Sequence, residues 1–155
     1  MTLSCIIIED EPLAVKKLEG FIAKIPFLSL KSCFDNAIHG LAFLKTNNID
    51  IVFLDIEMDG LTGIQFLEVL DNKPYIVITS AYAQYALKGY ELCVFDYLLK
   101  PYSFERFIQA VNKIIDDKTK KSIPVLPVNK EHLFVKTEYR IENLVLNDIL
   151  YIAGM

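Results

Sequence analysis

Apolar positions in the first 118 residues form short runs that are separated by amphipathic stretches. Five runs predict β-strands, at residues 5–8, 28–33, 51–54, 75–79 and 94–99. The first, third and fourth runs are apolar almost throughout instead of alternating. Continuous apolar character is typical of strands that have helices on both faces of the sheet.

Helical spacing marks the stretches between these runs. The clearest apolar stripe follows the fifth run and consists of Phe104, Phe107, Ile108, Val111, Ile114 and Ile115, with Arg106, Gln109, Lys113 and Asp116 turned outward. Weaker or shorter stripes lie in residues 14–25, 37–44, 63–70 and 84–91. Five strand–helix pairs with right-handed crossovers predict an α/β fold with a doubly wound, five-stranded parallel sheet, the flavodoxin-like architecture.

The composition changes once along the chain. Residues 1–118 are expected to form one domain. A charged run and the prolines Pro124 and Pro127 predict an extended linker over residues 119–131. Residues 132–155 read as strands and predict a short, incomplete all-β segment.

Charge and cysteine content exclude several classes of protein. The net charge of −4 disfavours a chain built mainly to coat nucleic acid. No apolar run approaches the roughly 20 residues of a membrane helix, and the start lacks the basic region of a signal peptide. Cys5, Cys33 and Cys93 fit neither a disulfide framework nor a zinc site. We therefore expect a cytoplasmic protein that is not associated with a membrane.

Polar residues follow the strand runs at the edge where ligands bind in doubly wound sheets. Glu9 and Asp10 follow the first run, Asp55 the third, Ser80 the fourth and Lys100 the fifth. Clustered carboxylates repel one another unless a cation neutralises them, and hard oxygen ligands suit Mg²⁺. A carboxylate in such a site can attack a phosphoryl group while a lysine and a hydroxyl stabilise the phosphoryl oxygens.

Four segments resemble, in the same order, the motifs of the receiver domain of two-component response regulators: residues 8–12, 54–60, 79–81 and 97–101. The resemblance spans residues 3–118. It implies a switch that takes phosphate from a sensor histidine kinase and forms a homodimer through the receiver. It also implies that the chain is not a turnover enzyme, apart from its own phosphorylation and slow dephosphorylation.

The same resemblance assigns the acidic residues. Asp55 is the implied phosphoacceptor, and Mg²⁺ is the implied cofactor. Its expected ligands are Asp10, Asp55 and the backbone carbonyl of Glu57. Glu9 stands where the family more often has aspartate, and its longer side chain is expected to reach the metal through water.

The remaining motif residues have switching or phosphate-binding roles in the family. Ser80 is the implied hydroxyl switch and Tyr97 the aromatic switch. Lys100 is the implied phosphate-binding lysine, and its peptide bond to Pro101 is expected to be cis.

The C-terminal part resembles the opening strands of the LytTR-type DNA-binding domain, through residues 132–136, Arg140 and residues 147–152. Residues 81–87 are also typical of receivers in that class. Ala153 stands where the class usually has glutamate. We therefore expect a regulator truncated early in its DNA-binding domain, whose full-length form binds promoter DNA while the present chain does not.

Two other functions fit part of the pattern. A Mg²⁺-dependent phosphohydrolase also uses an aspartate nucleophile, but that nucleophile follows the first strand, whereas Asp55 follows the third. A flavodoxin-like nucleotide binder needs a phosphate-cradling loop after the first strand, and residues 9–12 are acidic or proline. The sequence favours the switch over both.

Overall fold

The computed structural model describes residues 1–71, 74–122, 132–137 and 140–145. The chain divides into two units, Met1–Asp117 and Lys118–Met155. The elements that begin in the first unit, in chain order, are β1 (Leu3–Ile8), α1 (Pro12–Ala23), β2 (Leu28–Phe34), α2 (Ala37–Thr46), β3 (Ile51–Asp55), α3 (Gly63–Val69), β4 (Tyr75–Ser80), a 3₁₀ turn (Ala83–Tyr85), α4 (Ala86–Glu91), β5 (Asp96–Leu99) and α5 (Phe104–Ser122).

The five strands form one parallel sheet in the order β2-β1-β3-β4-β5. The predicted doubly wound α/β fold is confirmed. The strand order reverses between β1 and β3, so the carboxyl ends of these two strands flank the crevice in which such sheets bind their ligands. The residues that end or follow β1, β3, β4 and β5 are therefore brought to one edge.

Two apolar layers cover the two faces of the sheet. One face packs against α1 and α5, and its buried residues include Leu18, Ile22, Phe53, Val77, Phe107, Val111 and Ile114. The other face packs against α2 and α3, and its buried residues include Ile8, Leu54, Phe66, Leu67 and Ile78. Burial on both faces explains why the central strands read as continuous apolar runs.

Most element boundaries differ from the sequence prediction by one or two residues, and the changes at β5 and α5 have a visible cause. Strand β5 begins at Asp96 instead of residue 94, because Cys93 adopts a left-handed backbone (φ 60°) that turns the chain just before the strand. Helix α5 runs to Ser122, so residues 119–122, predicted as extended linker, are helical. Lys120 and Lys121 lie in its last turn, where positive charge interacts favourably with the helix dipole. The remaining linker, residues 123–131, lies outside the described residues.

In the second unit, β6 (His132–Thr137) pairs with β7 (Arg140–Val145) as an antiparallel ladder. The predicted strands at residues 147–152, and the unusual Ala153, lie outside the described residues. No helix in the described ranges has both the length and the apolar character that a bilayer crossing requires.

Candidate functional site

Three carboxylates meet at the carboxyl edge of the sheet. Glu9 follows β1 and is buried, Asp10 is exposed beside it, and Asp55 is buried at the end of β3. One oxygen from each side chain lies within 4.8 Å of the others. The structure thus brings together the three acids that the strand-end argument selected.

Lys100 supplies the positive charge of this cluster. Its Nζ donates to Glu9 Oε2 at 2.9 Å and lies 3.9 Å from Asp55 Oδ1. Main-chain donors support the same carboxylates, because the Glu11 N–H donates to Glu9 Oε1 (3.2 Å) and the Glu57 N–H donates to Asp55 Oδ1 (3.1 Å). In this arrangement the ammonium is hydrogen-bonded to Glu9 and is only a more distant neighbour of Asp55.

The pKa values of the cluster reflect burial first and an excess of negative charge second. Burial raises the pKa of Asp55 to about 7, and Glu9 adds to the rise while the Glu57 N–H and Lys100 oppose it. Burial and the charge of Glu9 also raise the pKa of Asp10. Burial alone would lower the pKa of Lys100, but Glu9 and Asp55 more than offset this and raise it.

The donor set fits Mg²⁺. Glu9, Asp10 and Asp55 offer hard carboxylate oxygens, and the exposure of Asp10 leaves room for the water ligands that Mg²⁺ retains. A divalent cation would also neutralise the negative charge that, together with burial, raises the pKa of Asp55. The Glu9 carboxylate lies inside the cluster, although Lys100 engages one of its oxygens. Glu57 contacts the site through its backbone N–H, while its side chain is exposed.

Ser80 and Tyr97 both bond to the main chain of Tyr82. Ser80 Oγ accepts from the Tyr82 N–H at 3.0 Å and donates to the Tyr82 carbonyl at 3.4 Å. The Tyr97 hydroxyl donates to the same carbonyl. The two predicted switch residues are therefore linked through the loop after β4. Sequence reasoning missed Tyr82, because a backbone acceptor leaves no trace in residue type.

The turn between β5 and α5 lies beside the site and connects it to the end of β4. The Lys100–Pro101 peptide bond is cis, and the Lys100 N–H donates to the Ser80 carbonyl at 2.6 Å. Tyr102 is buried next, and burial together with the charges of Glu9 and Asp55 raises its pKa.

Asp96, at the start of β5, has a buried side chain and was not anticipated as an ion-pair centre. Arg106 donates to both of its oxygens, at 2.7 and 3.1 Å, and Lys113 Nζ lies 3.6 Å away. The Tyr97 N–H donates to it as well, at 2.8 Å. Arg106 and Lys113, predicted to face outward, therefore pair with the sheet. An acid inside a strand run is the sequence signal that could have indicated this contact.

The comparisons with known proteins agree on one domain type. The family description "Response regulator receiver domain" matches residues 5–112. The transcriptional regulatory protein BtsR of Escherichia coli (strain K12) is 30% identical over 157 residues, which cover 98% of this chain and 66% of BtsR. The chain thus spans just under two thirds of the length of this relative.

Solved structures give the same fold. The response regulatory domain of mrkE from Klebsiella pneumoniae superposes with a TM-score of 0.71 at 33% identity, over 76% of this chain and 99% of that one. The response regulator TrrA from Thermotoga maritima, solved with Mg²⁺-BeF, superposes with a TM-score of 0.65 at 24% identity. That alignment covers 74% of this chain and 99% of TrrA.

Proposed function

The chain belongs to the response regulator receiver family, and from that premise we propose that Asp55 accepts a phosphoryl group from a sensor histidine kinase. One observation carries the proposal. Asp55 is a buried carboxylate that ends β3 within one cluster with Glu9 and Asp10, and Lys100 Nζ lies 3.9 Å from its Oδ1.

The chemistry is an in-line displacement. An oxygen of Asp55 attacks the phosphorus of a phosphohistidine, an O–P bond forms, and the P–N bond breaks as the imidazole leaves. Asp10, Asp55 and the backbone carbonyl of Glu57 would hold Mg²⁺, with Glu9 reaching it through water, and the bound ion would supply positive charge to the phosphoryl oxygens. Lys100 adds a second positive charge, which requires its ammonium to reach from Glu9 toward the phosphoryl group.

The switch follows from the contacts of Tyr82. When the Ser80 hydroxyl donates to a phosphoryl oxygen, it no longer donates to the Tyr82 carbonyl. That carbonyl keeps the Tyr97 hydroxyl as its donor. Phosphorylation therefore changes the hydrogen bonding of the loop after β4. Because Tyr97 is bonded to this loop, the surface at β5 changes with it.

The downstream part of the proposal concerns a longer protein. We assign the chain to the LytTR-type class, in which the receiver controls a C-terminal DNA-binding domain and promoter DNA is bound by the full-length protein. The relative BtsR is named a transcriptional regulatory protein, which supports a role in transcription regulation. Homodimerisation through the receiver and a cytoplasmic location belong to the same proposal.

The chain acts as a stoichiometric phosphoacceptor and not as a turnover enzyme. The test is intact mass after incubation with phosphoramidate and Mg²⁺, with and without a chelator. We expect one added phosphoryl group in the wild type, none in Asp55→Asn, and none with the chelator. Asp59→Asn, an exposed acid of the same loop, is the matched control and labels normally.

Undiminished labelling of Asp55→Asn would contradict the phosphoacceptor assignment. Many equivalents of free phosphate per protein, without a stable adduct, would favour the phosphohydrolase instead.

A further inference from the structure

Thr79, the residue before Ser80, has a hydroxyl that the proposed function leaves unexplained. Its side chain is buried, and among the described residues its Oγ1 has no hydrogen-bond partner. An unpaired buried hydroxyl is destabilising, and such groups are uncommon in native proteins. A state of the protein in which this hydroxyl is paired would explain why it is there.

The strand register places Thr79 next to Asp55. Thr79 of β4 pairs with Asp55 of β3 on one side and with Leu98 of β5 on the other. The Ile56 N–H donates to the Thr79 carbonyl at 3.3 Å, which fixes the two backbones together. Because side chains alternate along strands, Thr79 lies on the same face of the sheet as Asp55. Leu98 is apolar, so Asp55 is the polar side chain beside Thr79 in the register.

We infer that Thr79 is a positioning residue for Asp55. The Thr79 hydroxyl donates a hydrogen bond to the Asp55 carboxyl group when that carboxyl group turns toward a phosphoryl donor or carries the phosphoryl group. This inference rests on the proposed function. In the resting arrangement the Glu57 N–H holds Asp55 Oδ1, and Lys100 is engaged by Glu9. The Thr79 hydroxyl is a donor that this arrangement leaves unused.

An interaction that is absent in the resting protein and present during phosphoryl transfer lowers the barrier of that step. The unpaired hydroxyl destabilises only the resting state. Its removal therefore has two effects of opposite sign: the resting fold becomes more stable, and phosphorylation becomes slower. A side chain with a purely structural role would not produce this pair of effects.

The test compares Thr79→Val, which keeps the shape and removes the hydroxyl, with Thr79→Ser, which keeps the hydroxyl. Both are made in the full 155-residue chain. Thermal unfolding is measured, together with the phosphorylation rate over a range of phosphoramidate concentrations with Mg²⁺. We expect Thr79→Val to melt at or above the wild-type temperature. Its maximal rate falls roughly tenfold, the effect of one lost hydrogen bond, while the half-saturating concentration changes little.

Thr79→Ser is expected to retain the rate to within about twofold. Equal rates in Thr79→Val and the wild type would overturn this inference and leave the Asp55 assignment intact, and so would an equally slow Thr79→Ser. An unlabelled wild type would overturn both. Should Thr79→Val not fold, Thr79→Ser against Thr79→Ala isolates the hydroxyl in the same way.

Discussion

Asp55 and Asp96 are two aspartates with buried side chains in opposite electrostatic environments. Their side chains are similarly buried, 6% and 8% exposed. Burial raises the pKa of Asp55 to about 7. Burial also acts to raise the pKa of Asp96, but the hydrogen bonds from Arg106 outweigh it and the pKa is lowered. Partners, and not burial, decide which buried acid stays charged.

The difference separates a structural acid from a functional one. Asp96 receives a guanidinium on both oxygens, and such two-point, charge-assisted pairs are among the strong hydrogen-bonded pairs in proteins. Asp55 shares one ammonium with Glu9, and that ammonium is closer to Glu9. A carboxylate cluster short of positive charge inside a crevice is suited to a cationic ligand, whereas a fully paired acid is suited to holding a strand and a helix together.

The largest effect on stability is expected from Asp96→Asn. The substitution leaves Arg106 without its carboxylate, and we expect the free energy of unfolding to fall by about 2 kcal/mol, a figure reduced because Arg106 is partly exposed. Labelling of Asp55 should persist. Urea unfolding at pH 7 measures the change, with Asp59→Asn as the control. A loss no larger than that of the control would show that the Asp96 pair does not hold the fold.

Lys100→Ala is expected to keep the fold but to weaken the conformational change that phosphorylation causes in the loop after β4. A charge-assisted contact to a phosphoryl group contributes about 1.5–3 kcal/mol, and its loss leaves the modified protein mostly in the resting state. Amide exchange in the loop after β4, compared before and after phosphorylation, measures the response. The control is Lys16→Ala, an exposed lysine of α1. Equal exchange changes in Lys100→Ala and the wild type would exclude Lys100 as the transmitter.

The contributions of Asp55 and Asp96 to the free energy of unfolding should depend on pH in opposite directions. A raised folded-state pKa means that the contribution of Asp55 to stability is present below about pH 4 and is lost as the pH rises toward 7. With a chelator present, the free energy of unfolding of the wild type should therefore fall by about 1–2 kcal/mol relative to that of Asp55→Asn over that pH range. Added Mg²⁺ should restore part of this loss.

The lowered pKa of Asp96 gives the opposite dependence of stability on pH. The contribution of Asp96 to the free energy of unfolding is present above the ordinary aspartate pKa and is lost as the pH falls through the folded-state pKa. Unfolding curves of each variant against the wild type, from well below about pH 4 up to about pH 7, give both profiles. Parallel profiles for the two residues would contradict the distinction between them.

The smallest effect is expected from Arg106→Lys. The charge is kept, but the planar fork that engages both oxygens of Asp96 is lost, and we expect a destabilisation of about 1 kcal/mol. Lys113→Arg is the matched reverse change and should cost nothing measurable. If Arg106→Lys were as stable as the wild type, charge alone would account for the Asp96 pair.

The sequence by itself determined the fold class and the edge of the sheet at which the acids meet. Continuous apolar runs identify strands covered on both faces, and the residue after each run lies at the carboxyl edge of a parallel sheet. Both features follow from the order of residues along each strand and do not depend on contacts between elements. Glu9, Asp55, Ser80 and Lys100 could therefore be selected before any contact was known.

Tertiary structure alone decided which groups face one another across elements. The ammonium of Lys100 is hydrogen-bonded to Glu9, 91 positions away, and Arg106 of α5 turns onto Asp96 of β5. The common acceptor of Ser80 and Tyr97 is a main-chain carbonyl, which any residue could supply. Pairing depends on distances between side chains that several elements position together, and a pattern read along one strand or one helix contains no such distances.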